Sequence, residues 1–336
     1  MVALNDKISL LKERKEIFQK LPVIRNYYLI IGGGKIGTSF LHHARKSRFP
    51  FVLVIDKDQN APASKSANVL KTETELINLL QTKAKEFPQT ENKPEIYFYK
   101  MGVRSLPFLF SLGVPEFIIP AVPCHVAAYI LSDLLIFPFE KIAENPRNNL
   151  DSSNSLLSSL LNSPLNHSLN QPLVSELFIK PEHFEPSPYS ELITFFENVA
   201  GELPENIIAG RYPEQGILFL SYARAGEICP DGCPGPRTHC PTFDRKKPET
   251  VTEYVRKLRK TLPGWVFESY QMKPGIGGLK GEDFKENCLE IFEFLKSNLE
   301  IQNVKELNRS EQFEKKIFFV ATTCTCHGVL NLFYVI

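Results

Sequence analysis

The sequence has no excess of charge of either sign. Its 336 residues contain 39 Lys and Arg against 38 Asp and Glu, which gives a formal net charge of +1. A balanced chain of this kind lacks the strong field that attracts nucleic acid or an anionic membrane. We therefore expect a small-molecule substrate as the partner, no nucleic acid and no membrane, with a homo-oligomer left open.

Long apolar runs that would span a bilayer are also missing. The stretch 117–139 contains Pro120, Pro123 and Asp133, and it divides into a strand and a helix. The C-terminal IFFVATTCTCHGVLNLFYVI is polar at its centre, whereas a spanning helix needs about 20 mostly apolar residues. It is predicted to be a buried strand and its continuation. The charged N-terminus lacks the apolar segment of a signal peptide, so a cytoplasmic location is expected.

The length predicts two domains, and the order of apolar segments predicts the α/β class. Residues 1–24 fit a leading amphipathic helix. Residues 25–143 alternate strands with helices, which indicates a mostly parallel sheet covered on both faces. The Asn/Ser/Leu-rich stretch 144–173 is predicted to be a linker or an insertion. Residues 174–336 form a second α/β (or α+β) domain that carries a cysteine-rich loop.

The segment YYLIIGGGKIG places three glycines at G-x-G-x-x-G spacing, between an apolar run and a helical one. Gly32 allows the tight turn, Gly34 lets the backbone approach a pyrophosphate, and Gly37 lets the helix pack closely. The helix N-terminus offers free N–H groups to phosphate oxygens. An acid at the end of the next strand can accept hydrogen bonds from a ribose 2′-hydroxyl. The predicted cofactor-binding residues are Gly32, Gly33, Gly34, Lys35, Ile36, Gly37 and Asp56.

These residues resemble the NAD(P)-binding Rossmann superfamily, clearly over 28–58 and more weakly to about residue 139. The resemblance implies that 25–143 is a Rossmann-like dinucleotide-binding domain with an NAD(P) cofactor, without selecting one enzyme family. NAD is favoured because the carboxylate of Asp56 repels a 2′-phosphate, although Lys57 is adjacent. The segment IIGGGKIG also looks like the opening of siroheme-synthase-type dehydrogenases, but nothing downstream supports that identity. The alternative is a Rossmann fold that has lost its cofactor or binds another nucleotide.

Two residues are candidates for catalysis at the carboxyl ends of the strands, where ligands of such folds bind. The segment PAVPCHVAAYI occupies that edge after a later strand. Cys124 and His125 therefore lie within reach of a nicotinamide or a substrate, and an imidazole transfers protons near neutral pH. The alternative is that both residues simply open a helix.

Three of the seven cysteines lie in one Gly/Pro-rich loop, ICPDGCPGPRTHCP. The spacing C-x3-C-x6-C matches neither the usual zinc-finger pairs nor the shorter ferredoxin spacings. Without a secretion signal, clustered cysteines indicate metal or redox chemistry and not a disulfide framework. The segment TTCTCHG offers further ligands at the end of the final strand. The predicted metal ligands are Cys229, Cys233, Cys240, Cys324 and Cys326.

The predicted centre is an iron–sulfur cluster or a zinc ion, and a thiol redox relay is the alternative. If the first and last strands of this half are neighbours, the two cysteine segments meet at one sheet edge. Strand alternation places Cys324 and Cys326 on one face and His327 on the other. His239 is a less favoured ligand. Cys288, inside a predicted helix, is interpreted as a core residue.

A second glycine-rich segment, KPGIGGLKGEDF, is predicted to be a loop between a strand and a helix. Its composition is typical of anion binding, and it lacks the G-K-[ST] ending of a nucleotide-hydrolysing loop. A flexible connection is the alternative. The residues concerned are Lys273, Gly275, Gly277, Gly278, Lys280 and Gly281.

These observations give one leading hypothesis and two others. The leading hypothesis is a cytosolic NAD(P)-binding oxidoreductase of a small-molecule substrate, with a Cys-ligated iron–sulfur or zinc centre. The alternative is a non-catalytic regulator that senses redox state or a nucleotide and has a structural metal site. A weaker third hypothesis is a biosynthetic enzyme of the siroheme type.

Overall fold

The structure is a computed structural model that describes residues 4–85, 93–136, 190–224, 226–302 and 317–334. It confirms the predicted α/β class. The chain divides into two compact units. Unit 1 holds the described residues 4–136 together with 278–302, and unit 2 holds 190–277 together with 317–334. The predicted linker 144–173 lies outside the described residues.

The helices and strands follow the predicted alternation. The first stretch contains α1 (Leu4–Lys20), β1 (Val23–Ile31), α2 (Lys35–Lys46), β2 (Phe51–Asp56), β3 (Asn68–Leu70), α3 (Glu73–Lys85), β4 (Glu95–Lys100), α4 (Leu106–Leu112), β5 (Val114–Pro120) and α5 (Val126–Ile136). The second contains α6 (Ser190–Gly201), β6 (Ile208–Tyr212), β7 (Ile217–Ser221), β8 (His239–Cys240), β9 (Arg245–Lys246), α7 (Val251–Lys257), β10 (Gly264–Lys273), β11 (Ile276–Lys280), α8 (Gly281–Gln302), β12 (Ile317–Thr323) and β13 (His327–Tyr334).

Unit 1 is built on a sheet with the strand order β3-β4-β2-β1-β5-β11. The first five strands are parallel, and β11 pairs with β5 in the antiparallel sense. Consecutive residues of β2 are buried, because helices cover a parallel sheet on both faces. After β1, the chain adds β2, β3 and β4 on one side of β1, and then adds β5 on the opposite side of β1. The strand order therefore reverses between β1 and β5, which is where folds of this type bind ligands.

The helix α8 belongs to unit 1, although its position in the sequence places it in the second half. It packs against α1, where the rings of Phe18 and Phe292 meet edge to face with centroids 5.9 Å apart. The ammonium of Lys285 donates to the carbonyl oxygens of Gln19 and Leu21 at 2.8 and 2.5 Å, at the end of α1. Cys288 is fully buried in α8. The sequence analysis interpreted Cys288 as a core residue of a helix but could not identify which elements cover that helix.

Unit 2 has a mixed sheet with the strand order β10-β12-β13-β7-β6. The strands β10 and β12 are parallel, and the other neighbours are antiparallel. The helix α7 begins at a capping box formed by Thr250 and Glu253. The side chains that build the core come from α6, α7 and the sheet and include Phe196, Val199, Leu218, Leu220, Val251, Val255, Phe319, Ala321 and Leu330.

The second glycine-rich segment is a tight turn followed by a strand, and not the loop that its composition predicts. Gly275 lies in a tight turn after β10, Gly277 and Gly278 belong to β11, and Gly281 begins α8. A Cβ at Gly277 would lie 2.0 Å from Oγ of Ser269, and a Cβ at Gly281 would lie 1.7 Å from the carbonyl oxygen of Pro115. The glycines are therefore explained by close packing, which composition alone does not distinguish from a loop.

The C-terminal segment also differs from the prediction of one strand. Its first part ends at Thr323, and a turn leads back into the antiparallel strand β13. The backbone N–H of Cys324 donates to the carbonyl oxygen of His327 at 2.8 Å and closes this turn. Within the described ranges, no helix is both long and apolar enough to cross a membrane.

We expect Gly281→Ala to destabilise unit 1 by about 1–3 kcal/mol, because the added methyl group meets backbone that cannot rotate away. Urea unfolding measures the effect. The matched control is Gly102→Ala, since no protein atom lies within 4 Å of a Cβ at Gly102. Equal unfolding midpoints for the two variants would contradict the close packing of α8 on β5.

Candidate functional site

The glycine turn (residues 32–37) joins β1 to α2 at the carboxyl end of the sheet. Gly32 has φ +104°, and its Cβ would lie 2.6 Å from the carbonyl oxygen of Ala121, in the loop after β5. A Cβ at Gly37 would lie 1.9 Å from the carbonyl oxygen of Gly32. Gly34 differs, because none of the described residues outside its own stretch of chain has an atom within 4 Å of its Cβ position. Packing thus requires glycine at 32 and 37, whereas the space over Gly34 is open.

Asp56 ends β2 and holds the glycine turn. Its Oδ2 accepts a hydrogen bond from the backbone N–H of Gly33 at 2.6 Å, and its Oδ1 accepts one from Asp58 at 2.9 Å. Each carboxylate oxygen keeps a second lone pair for another donor. The structure therefore brings Gly33 and Asp56 into contact and leaves the acid able to accept from a ligand hydroxyl.

The N-terminus of α2 faces the same space. Gly34 is the residue that precedes the helix, and no side chain in the described part of the chain caps it. Lys35 and Ile36 form the first turn, and Ile36 is 52% exposed. The positive end of the helix dipole and its free N–H groups are the features that bind phosphate at helix N-termini.

Cys124 and His125 lie between β5 and α5, at the same edge as the glycine turn. Desolvation by burial raises the pKa of the Cys124 thiol to about 11, against a smaller opposing effect of Arg104. The thiol therefore keeps its proton at neutral pH and is a weak nucleophile. His125 is only 5% exposed. Neither residue offers an exposed, ionised group to a ligand in this conformation.

An ion pair at this edge was missed by sequence reasoning. Nη1 of Arg104 lies 2.7 Å from Oδ1 of the buried Asp133, and the guanidinium lies 4.7 Å from the ring centroid of Tyr129. Desolvation by burial raises the pKa of Asp133 to about 6, despite the opposing effect of Arg104. The two partners come from different elements, so no spacing in the sequence could reveal the pair.

A cavity of about 280 Å³ in unit 2, the cysteine pocket, contains all five predicted ligand cysteines in its wall. The wall is built from the loop after β7, the β8–β9 hairpin, the β12–β13 turn and the turn after β10. A lysine and a histidine that the sequence analysis did not choose also line it. The residues of chemical interest are Cys229, Cys233, Cys240, Lys247, Cys324, Cys326 and His327.

Strand pairing brings the two cysteine segments together. The strand β13 lies between β12 and β7, and His327 pairs with Ser221. The backbone N–H of Tyr222 donates to the carbonyl oxygen of Cys326 at 3.0 Å. The two segments therefore meet at one sheet edge. The predicted first and last strands of this half correspond to β7 and β12, which are not neighbours, because β13 lies between them.

His327 lies between two of the thiols. Its Nε2 is 3.3 Å from Sγ of Cys229, and its Nδ1 is 3.9 Å from Sγ of Cys324. The prediction that it takes the opposite face was wrong, because Cys324 and Cys326 lie in a turn and not in a strand. Desolvation, followed by the charge of Lys247, lowers the pKa of His327. The imidazole is therefore neutral near pH 7, as ligation requires.

His239, the less favoured histidine, makes a different contact. Its Nε2 lies 2.9 Å from Oδ1 of Asp244 in the β8–β9 hairpin. This pairing directs the ring to a carboxylate and not to the thiols.

Lys247 is the residue of the cysteine pocket that sequence reasoning missed. It is 2% exposed, and its ammonium donates to Sγ of Cys326 at 3.0 Å and to the carbonyl oxygen of Pro236. It also lies 5.9 Å from the ring centroid of Tyr222. In the sequence it sits in the charged run DRKKPE, which has the composition of a solvated surface segment.

The thiols affect one another across the pocket. Desolvation by burial raises the pKa of Cys229, and the four other pocket cysteines raise it further. Burial also raises the pKa of Cys326, although the neighbouring Lys247 opposes this rise. Ionising all the thiols together is therefore unfavourable without a cation that they share.

The turn after β10 supports the cysteine loop. The carbonyl oxygen of Cys233 accepts hydrogen bonds from the backbone N–H of Gly275 at 3.1 Å and from Nε2 of Gln271 at 3.0 Å. Gly275 has φ +80°, and its Cβ would lie 2.7 Å from the backbone nitrogen of Gly232. The N–H of Gly235 donates to Sγ of Cys233 at 3.4 Å.

The donors surround a space and do not converge on a point. Over the described ranges, no group of three or more His, Cys, Asp or Glu side chains is arranged to hold a metal ion. All seven cysteines are free thiols. The pocket therefore offers soft donors on several walls of one cavity, together with one buried positive charge.

This chain is similar to a protein family and to a protein whose descriptions name no function. A family described as "Uncharacterized protein, C-terminal domain" matches residues 177–336, just under half of the chain and including the whole cysteine pocket. A protein of Archaeoglobus fulgidus described as "Uncharacterized protein" is 24% identical over 305 residues, which cover 90% of this chain and 97% of that protein. No solved structure matches the chain.

We expect Gly275→Ala to displace the cysteine loop, because the added Cβ combines an unfavourable φ with a clash against backbone. Thermal unfolding should show a loss of about 1–3 kcal/mol, and iodoacetamide should label Cys233 faster. Gly201→Ala is the control, since its Cβ meets nothing within 4 Å. Unchanged labelling of Cys233 would contradict the supporting role of the turn.

Proposed function

We propose that this protein is an NAD(P)-binding, redox-active protein whose cysteine pocket holds a Cys-ligated centre, either an iron–sulfur cluster or zinc. The observation that supports the proposal most strongly is the gathering of five thiols around one cavity. Cys229 and His327 are 98 positions apart and yet lie in contact. Ordinary core packing does not account for this arrangement, because Cys229, Cys233 and Cys324 are only partly buried.

The donor set fits such a centre. Thiolates are the ligands that zinc and iron–sulfur clusters prefer, and His327 is a further donor beside Cys229. When bound, a cluster supplies one-electron chemistry, whereas zinc with an open position supplies a Lewis acid. The N–H of Gly235 and the ammonium of Lys247 donate to the sulfurs of Cys233 and Cys326, and such hydrogen bonds tune a centre.

The glycine turn is the proposed dinucleotide site. The open space over Gly34 and the uncapped start of α2 suit a pyrophosphate. Asp56 is the proposed acceptor for the ribose 2′-hydroxyl, which favours NAD over NADP. Turnover of a small-molecule substrate would make the protein an oxidoreductase.

The second candidate function is a regulator that binds a nucleotide without turnover. The observation in its favour is that Cys124 keeps its proton at neutral pH and that His125 is buried. Steady-state oxidation of NADH with ferricyanide as the electron acceptor separates the two candidates. Sustained oxidation supports the oxidoreductase, and binding without oxidation supports the regulator.

We expect Gly34→Ala to weaken NADH binding at least tenfold, or by about 1.4 kcal/mol, because the methyl group occupies the pyrophosphate space. The unfolding midpoint should not change, since the methyl group meets no protein atom. Isothermal titration calorimetry with NADH and NADPH measures the effect, with Gly102→Ala as the control. Equal affinities for the two variants, or no binding by the unmodified protein, would contradict the proposed site.

We expect anaerobically purified protein to contain bound metal and Cys233→Ser to lower the metal content at least tenfold, because a hydroxyl is a poor ligand for soft ions. Elemental analysis and an absorption spectrum measure this. Cys288→Ala is the matched control, since that thiol is buried in unit 1. If the unmodified protein is fully folded and contains no metal, the proposed centre is contradicted, and a thiol redox function is the remaining candidate.

A further inference from the structure

The cysteine pocket contains a buried charge without an ordinary partner. Across the described residues, no carboxylate forms an ion pair with Lys247. The groups that face its ammonium are the carbonyl of Pro236, the ring of Tyr222 and the thiol of Cys326. A buried charge costs several kcal/mol unless an opposite charge offsets it.

The pocket thiols are the nearest groups that can supply that opposite charge. Asp231 also lines the pocket, but its side chain is exposed and not buried with the ammonium of Lys247. Four thiolates around a shared centre leave the assembly negatively charged. The position of Lys247 is therefore explained if the pocket holds an anionic assembly.

The shape of the pocket favours one kind of assembly. A structural zinc ion is closed off by four donors, each about 2.0–2.3 Å from one point. Here the five thiols lie on separate walls of a cavity of about 280 Å³. An iron–sulfur cluster instead binds its thiolates on two or more irons of an extended core.

Resting on the metal centre proposed above, we infer that the cysteine pocket holds a polynuclear iron–sulfur cluster and that Lys247 is its buried counter-charge. Lys247 is thus a positioning residue that acts through the sulfur of Cys326. Adding one electron to the centre makes it more negative. A fixed positive charge beside it stabilises the reduced form more than the oxidised form, and so raises the reduction potential.

The composition of the unmodified protein tests the first half of this inference. The full chain is purified anaerobically and then reconstituted with iron and sulfide in the presence of equimolar zinc. We expect iron and acid-labile sulfide in comparable amounts, with little zinc. Zinc alone in the protein would overturn the inference while leaving a Cys-ligated centre in place. Absence of any bound metal would instead contradict the metal centre of the proposed function itself.

The charge of Lys247 is tested with Lys247→Met, which keeps most of the unbranched side chain and removes the charge. The matched control is Lys246→Met, which removes the same charge from the exposed neighbouring position. Midpoint potentials are measured by anaerobic titration with dithionite. We expect Lys247→Met to shift the potential negative by at least about 59 mV, a tenfold change in the one-electron equilibrium. Equal potentials for the two variants would overturn the role of Lys247.

Two further variants keep the test decisive if Lys247→Met does not fold. Lys247→Gln is neutral but keeps a hydrogen-bond donor, whereas Lys247→Arg keeps the charge. We expect the negative shift in the first and a potential close to that of the unmodified protein in the second. The same potential in both would show that charge at this position does not act on the centre and would overturn the inference.

Discussion

The backbone pairing of β13 between β12 and β7 is the constraint on which the candidate site of unit 2 depends. It places the β12–β13 turn beside the loop after β7, and the hydrogen bond from Tyr222 to Cys326 joins the two directly. Backbone hydrogen bonds between strands thus bring the two cysteine-bearing segments together, without any bond between the thiols themselves. The cysteines are gathered by the sheet before any metal contributes.

In unit 1 too, the sheet positions the residues of the candidate site. The parallel strands position the glycine turn and the loop after β5, and steric contacts fix the backbone at Gly32 and Gly37. No such contact fixes the backbone at Gly34 among the described residues, and the space over it is the proposed site for a pyrophosphate. Packing therefore explains two glycines of the pattern, and the dinucleotide site proposed above accounts for the third.

Much of the fold was predictable because hydrophobic periodicity reports local structure. The strands of unit 1, the glycine turn and Asp56 follow one another closely in sequence, so spacing places them correctly. Lys247 and the pair of Arg104 with Asp133 were missed, because their partners come from distant elements. The turn at Cys324 was read as strand, since Thr and Cys suit a strand as well as a tight turn. Composition also could not distinguish a glycine that binds an anion from one that admits a neighbouring carbonyl.

The two hydrogen bonds accepted by Asp56 tie ligand recognition to the conformation of the turn itself. The same carboxylate that faces the open space also holds the backbone at Gly33 and Asp58. A substitution there changes the preference for a ligand and the shape of the loop in one step. Under the proposed function, a change from NAD to another cofactor therefore has to begin elsewhere, at positions such as Lys57 that do not hold the turn.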